Sequence, residues 1–258
     1  MNLRMKTKIL AVVNQKGGVG KTTTTVNLGA CLAELGKKVL VLDIDPQGNT
    51  TSGLGVNRYR LKKCIYNVLI DGIPLEAVIL PTDIPNLSIA PATIKLAGAE
   101  IELVLVMQRE VKLRHALEDV AGEFDYILVD CPPSLGLLTL NALTAATGVL
   151  IPIQCEYYAL EGLSQLMNTI ALVQKHLNPP LYIEGALLTM FDSRTNLANQ
   201  VVEEVRNFFK EKVYRTVIPR NVRLSEAPSH GQAITQYDPR SKGSEVYMEL
   251  AKEVIARE

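Results

Sequence analysis

The chain has 258 residues, 47% of them apolar, enough for a large α/β unit with a sizeable core. Lys plus Arg and Asp plus Glu each number 27, so bulk charge points to no polyanionic partner, and any basic surface must be local. Cys31, Cys64, Cys131 and Cys155 lie far apart with no CxxC pair, which argues against a disulfide framework or zinc site and fits a reducing cytoplasm.

Arg4, Lys6 and Lys8 precede an apolar run over 9–13 that is too short for a signal peptide, so a buried strand over 9–14 is expected. No apolar run approaches the roughly 20 residues of a membrane span. Further strands are expected over 39–43, 126–130, 149–153 and 185–189, with weaker ones around 77–80 and 87–90. Helical spacing covers 21–35, 137–146, 160–177, 197–209 and 244–258. Strands apolar on both faces, with helices between them, predict a mostly parallel twisted sheet covered on both sides. No repeat, low-complexity segment or linker interrupts the chain, and Pro179-Pro180 reads as a turn, so a single domain over 1–258 is expected.

The first strand runs into Asn14-Gln15-Lys16-Gly17-Gly18-Val19-Gly20-Lys21-Thr22-Thr23, and a helix follows. Glycines let successive backbone N–H groups face phosphate oxygens, and the helix N-terminus adds positive potential. In this motif Lys21 reaches the β- and γ-phosphates and the Thr22 hydroxyl binds Mg²⁺. The general pattern has Gly where this chain has Gln15, and it has one lysine where this chain has two. Two expected strands end in carboxylates, at Asp43 with Asp45 just beyond, and at Asp130. Carboxyl ends of parallel strands face the crevice where such sheets bind ligands. Asp130 therefore suits a magnesium held through water, and Asp45 is placed to orient a water.

Four blocks occur in order: NQKGGVGKTT, DIDPQGN at 43–49, DCPPSLG at 130–136 and IPRNVRLSEAPSHG at 218–231. Together they resemble the ParA/Soj DNA-partitioning ATPases, a branch of the deviant Walker A group, over nearly the whole chain. The resemblance implies a P-loop NTPase-like α/β fold, ATP and Mg²⁺ as cofactors, and slow hydrolysis. It makes Lys16 the signature lysine, which crosses a homodimer interface to the partner's nucleotide, and assigns catalysis to Lys16, Lys21 and Asp45. Phosphates would be held by Lys16, Gly17, Gly18, Val19, Gly20, Lys21, Thr22 and Thr23, and adenine by Met190, Pro219 and Asn221. Metal would be bound directly by Thr22, and through water by Asp45 and Asp130.

The stretch from Arg194 to Arg223 holds seven basic and three acidic residues, an excess of four in a neutral chain. Such a run is usually a solvated face; the resemblance turns Arg194 and Arg223 into contacts with non-specific double-stranded DNA in the ATP-bound dimer. It also implies a ParB-type centromere-binding partner that stimulates hydrolysis, and a cytoplasmic, nucleoid-associated protein. Eight residues precede the first strand, so the short form without a helix-turn-helix domain is expected. The nearest rival is a MinD-like cell-division ATPase, which needs a basic amphipathic membrane helix at the C-terminus; here that stretch is rich in Glu. A nitrogenase-type iron–sulfur protein would need a second cysteine facing Cys131, and a small-molecule kinase a lid.

Overall fold

The computed structural model describes residues 7–156 and 162–257. Arg4, Lys6, Glu258 and the start of the expected helix at 160–161 lie outside the described residues. The strands are β1 (Lys8–Val12), β2 (Val39–Asp43), β3 (Leu80–Pro81), β4 (Leu87–Ala90), β5 (Tyr126–Asp130), β6 (Gly148–Gln154) and β7 (Tyr182–Thr189). The helices are α1 (Lys21–Glu34), α2 (Asn49–Gly53), α3 (Ile65–Leu69), α4 (Leu96–Glu102), α5 (Lys112–Glu118), α6 (Leu137–Ala145), α7 (Leu163–His176), α8 (Asn196–Phe209), α9 (Val222–Glu226), α10 (Ile234–Tyr237) and α11 (Lys242–Ala256).

Every residue of β2 (VLVLD) and β5 (YILVD) is buried, the signature of central strands sandwiched between helices. The strand order is β3-β4-β2-β5-β1-β6-β7, all neighbours parallel except the short β3 against β4. Side chains alternate between two cores, as a pleat requires. Ile9 and Ala11 point to the core shared with α3 to α8; Leu10 and Val12 point to the core shared with α1 and α9 to α11. This is the expected α/β architecture.

β1 ends at Val12 rather than continuing to 14. Val13 N still donates to Leu150 O at 3.0 Å, but Asn14 turns its side chain away to hold the following loop. The expected strand near 77–80 shrinks to Leu80–Pro81, because Leu75–Ala77 winds into a 3₁₀ turn behind Pro74. The last helix, α11, buries Val246, Tyr247, Leu250, Ala251 and Val254 against α1, and the Tyr247 hydroxyl lies 3.2 Å from Thr24 Oγ1. Its apolar face is therefore part of the core.

Candidate nucleotide site and basic surface

The loop after β1 is shaped by its glycines. Gly18 (φ 75°) and Gly20 (φ 89°) adopt left-handed backbone, which a side chain would strain. Distant elements hold the loop. Asn14 donates to Pro152 O at 2.7 Å and accepts from Lys16 N at 3.0 Å; Thr189 Oγ1 at the end of β7 donates to Val19 O at 2.9 Å. Lys21 is buried, and its Nζ closes the loop by donating to Lys16 O at 3.0 Å. Burial pulls the Lys21 pKa below its ordinary value, an effect opposed by Asp130. Lys16 behaves differently. It is half-buried, and among the described residues its ammonium group has no hydrogen bond or ion pair.

Asp43 and Asp130 are register partners on β2 and β5, and both are fully buried. Asp130 Oδ2 accepts from Thr22 Oγ1 at 2.8 Å and from Thr50 Oγ1 at 2.6 Å. Asp43 accepts from Thr51 N and Oγ1 at 2.8 and 2.7 Å and from Asp45 N at 3.1 Å. Burial pushes both carboxyls above the ordinary range; proximity to Asp130 raises Asp43 further, while the threonine bonds hold Asp130 down. Asp45 lies beside them, 7% exposed, and its Oδ1 accepts from Gln47 N at 2.9 Å. The sequence shows Asp43 only as a strand end, and Thr50 and Thr51 do not figure among the expected site residues. Their signal is the Asn49-Thr50-Thr51 run just past the acidic block: hydroxyls in the first turn of α2 that reach back to the carboxylates.

The residues present fit a magnesium ion in a limited way. Two buried carboxyls raised by burial are suited to a neighbouring cation, and the Thr22 hydroxyl is already seated beside Asp130. Among the described residues no three His, Cys, Asp or Glu side chains group closely enough to hold a metal themselves. An ion here would rest on Thr22, water and nucleotide oxygens. All four cysteines are buried and unbridged, and burial with the neighbouring Asp130 pushes the Cys131 thiol well up.

Phe191 pairs with Pro219 in an isolated bridge, so Met190 lies one residue from the position that meets Pro219. Ile218 N donates to Leu188 O and Phe191 N to Ile218 O, so the chain loops out between them, with Met190 in left-handed backbone (φ 52°). Asn221 follows, capping α9 by accepting from Arg223 N at 2.8 Å.

The basic stretch is less free than its charge excess suggests. Arg194 grips Asp192 with two donors at 2.8 and 2.6 Å, Arg220 pairs with Glu156 at 2.9 Å, and Arg223 pairs with Glu226 at 2.9 Å and Asp238 at 3.4 Å. All four carboxylates lie outside the stretch itself, so its composition does not reveal them.

A family model described as an AAA domain matches residues 7–183. The sporulation initiation inhibitor protein Soj of Bacillus subtilis is 66% identical over 96% of this chain and 98% of its own length. The chromosome partitioning protein ParA of Myxococcus xanthus is 56% identical over 97% of this chain and 89% of its own. Among solved structures, one named cobyrinic acid a,c-diamide synthase from Mycobacterium smegmatis, with bound ADP and magnesium, is 41% identical with a TM-score of 0.84, over 95% of this chain and 93% of its own. Identities of 66% and 56% over nearly the whole chain show the family: the chain belongs to the ParA/Soj family of chromosome-partitioning ATPases.

Proposed function

We propose that this chain, as one ATPase domain, is a Mg²⁺-dependent ATP hydrolase whose ATP-bound form is a homodimer that binds double-stranded DNA without sequence preference. Lys21, Thr22 and the backbone of Gly17 to Gly20 hold the triphosphate, with Thr23 beside them. Met190, Pro219 and Asn221 surround the adenine. The observation that carries the reading is the contrast between two lysines five residues apart. Lys21 is turned inward onto its own loop, whereas Lys16 leaves its charge uncommitted. A cation free at the mouth of a phosphate site is available to a second nucleotide facing it, and two facing triphosphates need such bridging charge.

Bound magnesium would offset charge on the phosphate oxygens, with Asp130 and Asp45 acting on it through water. The chain's own groups do the rest. Asp45 orients a water, its carboxylate held by Gln47 N, while Asp43 anchors the segment from Asp45 to Thr51 to the sheet. The neighbouring carboxyls of Asp43 and Asp130 are taken up by hydrogen bonds from Thr51, Thr22 and Thr50, which leaves Asp45 to orient the water and suits slow turnover, and a ParB-type partner would accelerate it. Such a cycle places the protein in the cytoplasm on the nucleoid. No described helix is long and apolar enough to cross a membrane, and the burial of the α11 apolar face in the core disfavours the MinD-like alternative.

Light scattering and DNA binding, each with ATP and with ADP, test the proposal. Wild type should double in mass and bind DNA with ATP only. Lys16→Ala should still bind nucleotide but stay monomeric. A stable ATP dimer in that variant would remove Lys16 from the interface, and a wild-type monomer with ATP would overturn the dimer altogether.

A further inference from the structure

Between Asp45 and Asp71 the chain has no acidic residue, yet Asn57–Lys63 (NRYRLKK) carries four basic ones. Arg58–Arg60 forms a 3₁₀ turn, and Leu61 continues in extended backbone. Tyr59 is 86% exposed at its centre, and Arg60, Lys62 and Lys63 are exposed. Among the described residues none of these three cations has a side-chain hydrogen bond or an ion pair. Arg194, Arg220 and Arg223 all have carboxylate partners.

This cluster adjoins the surface that carries Arg223. α2 packs on the turn Ala227–His230 that follows α9. A methyl group built on Gly231 would lie 2.8 Å from Gly55 Cα, so the two backbones touch where Gly55 leads into the basic segment. Arg58 ties the segment to the loop before α2. Its guanidinium donates to Gln47 O and, at 3.2 Å, to the Tyr59 hydroxyl, and it lies 5.2 Å from the Tyr59 ring centre. Gln47 N in turn donates to Asp45, which ties the basic turn to the loop beside the phosphate site.

We propose that Tyr59, Arg60, Lys62 and Lys63 form a second, phosphate-tracking contact for double-stranded DNA, continuous through Gly55 and Gly231 with the Arg223 turn. This rests on the DNA-binding reading above and adds to it a surface on the far side of the Gly55–Gly231 contact. The three free cations are strung along at most about 10 Å of chain, close enough together to reach neighbouring phosphates of one strand. The Tyr59 hydroxyl accepts from Arg58 and keeps its own proton to donate to a phosphate oxygen. A lipid surface fits poorly. One exposed aromatic on a three-residue turn offers none of the apolar face that interfacial helices bury.

The test compares wild type with R60A/K62A/K63A, bound to an ATP analogue, on a duplex of arbitrary sequence across a salt series, with vesicles of anionic phospholipid as the second probe. Basal hydrolysis and ATP-dependent mass should be unchanged, because the three side chains touch nothing in the site. The variant should bind duplex roughly tenfold or more weakly, with a salt slope shallower by about 0.9 for each phosphate that is no longer neutralised. Equal affinity and slope would overturn the contact while leaving the DNA reading intact. Wild type that binds no duplex at low salt would overturn both. A loss confined to the vesicles would assign the surface to lipid and overturn the proposal.

Discussion

The phosphate loop and the stretch from Arg194 to Arg223 are both recognised by residue type, but they are built in opposite ways. In the loop, polar groups are buried, and their partners come from far along the chain: Asn14 from Pro152, Val19 from Thr189, Thr22 from Asp130. In the basic stretch the pairs lie in solvent whether their partners are near or far in the chain: Arg194 with Asp192, Arg223 with Glu226, Arg220 with Glu156. Burial makes a polar contact obligatory, since an unpaired buried group costs about 1–3 kcal/mol. A motif inside a core therefore fixes its geometry. An exposed charge has no such obligation, and its pair contributes about 0–1 kcal/mol. Composition there gives a tally of charges without saying which are available.

The largest test of that contrast is Lys21→Ala. Removing a buried cation from a phosphate site should weaken ATP binding by about 3 kcal/mol, roughly 100-fold in Kd, measured with a fluorescent ATP analogue. A drop of less than tenfold would mean that the backbone cradle holds the phosphates without it.

The same contrast explains what the sequence makes legible. The central strands and the loop can be read because each is a short local pattern that burial then enforces. The region from Gly53 to Arg114 cannot. It is assembled from 3₁₀ turns and short helices such as α3 and α4, whose periods are too brief to register and whose positions depend on packing. Asp43 is visible only as a strand end, because its role as anchor for Asp45 and Thr51 arises from the turn that brings them back to it. Free cations at Arg60, Lys62 and Lys63 are hidden for a different reason: whether a lysine is paired is a property of the folded surface alone.

A smaller effect concerns the two buried carboxyls. Asp43 and Asp130 have folded-state pKa values raised by burial, so each binds its proton more tightly folded than unfolded. Their contribution to stability is full below the ordinary carboxylate value of 3.8 and is lost as pH rises through the folded-state values, toward about 8 for Asp43. The nucleotide-free protein should therefore lose thermal stability from about pH 5 to pH 8. Asp43→Asn should flatten the trend, and so should an ATP analogue with Mg²⁺, which supplies a compensating cation. Calorimetric Tm across that range checks it, and a Tm that climbs steadily would contradict the assignment.

The smallest expected effect is the sharpest probe of the paired surface. Asp192 holds Arg194 by two side-chain bonds, and its carboxyl is drawn down to about 2 by the hydrogen bonds from Arg194, so it is ionised at neutral pH. If Arg194 contacts a DNA phosphate, it must first leave Asp192 or share itself between two anions. Asp192→Asn keeps an oxygen to accept from Arg194 N, now 3.1 Å from Oδ1, while removing the competing charge. Stability should barely change, because the pair is exposed. DNA affinity in the ATP state should rise by about two- to threefold at low salt, and the gain should fade as salt screens it. Arg194→Ala should move affinity the other way, partly because it leaves Asp192 uncompensated beside the phosphates. An unchanged affinity in Asp192→Asn would mean that Arg194 spends its charge within the chain, leaving the cations without partners to carry the DNA contact.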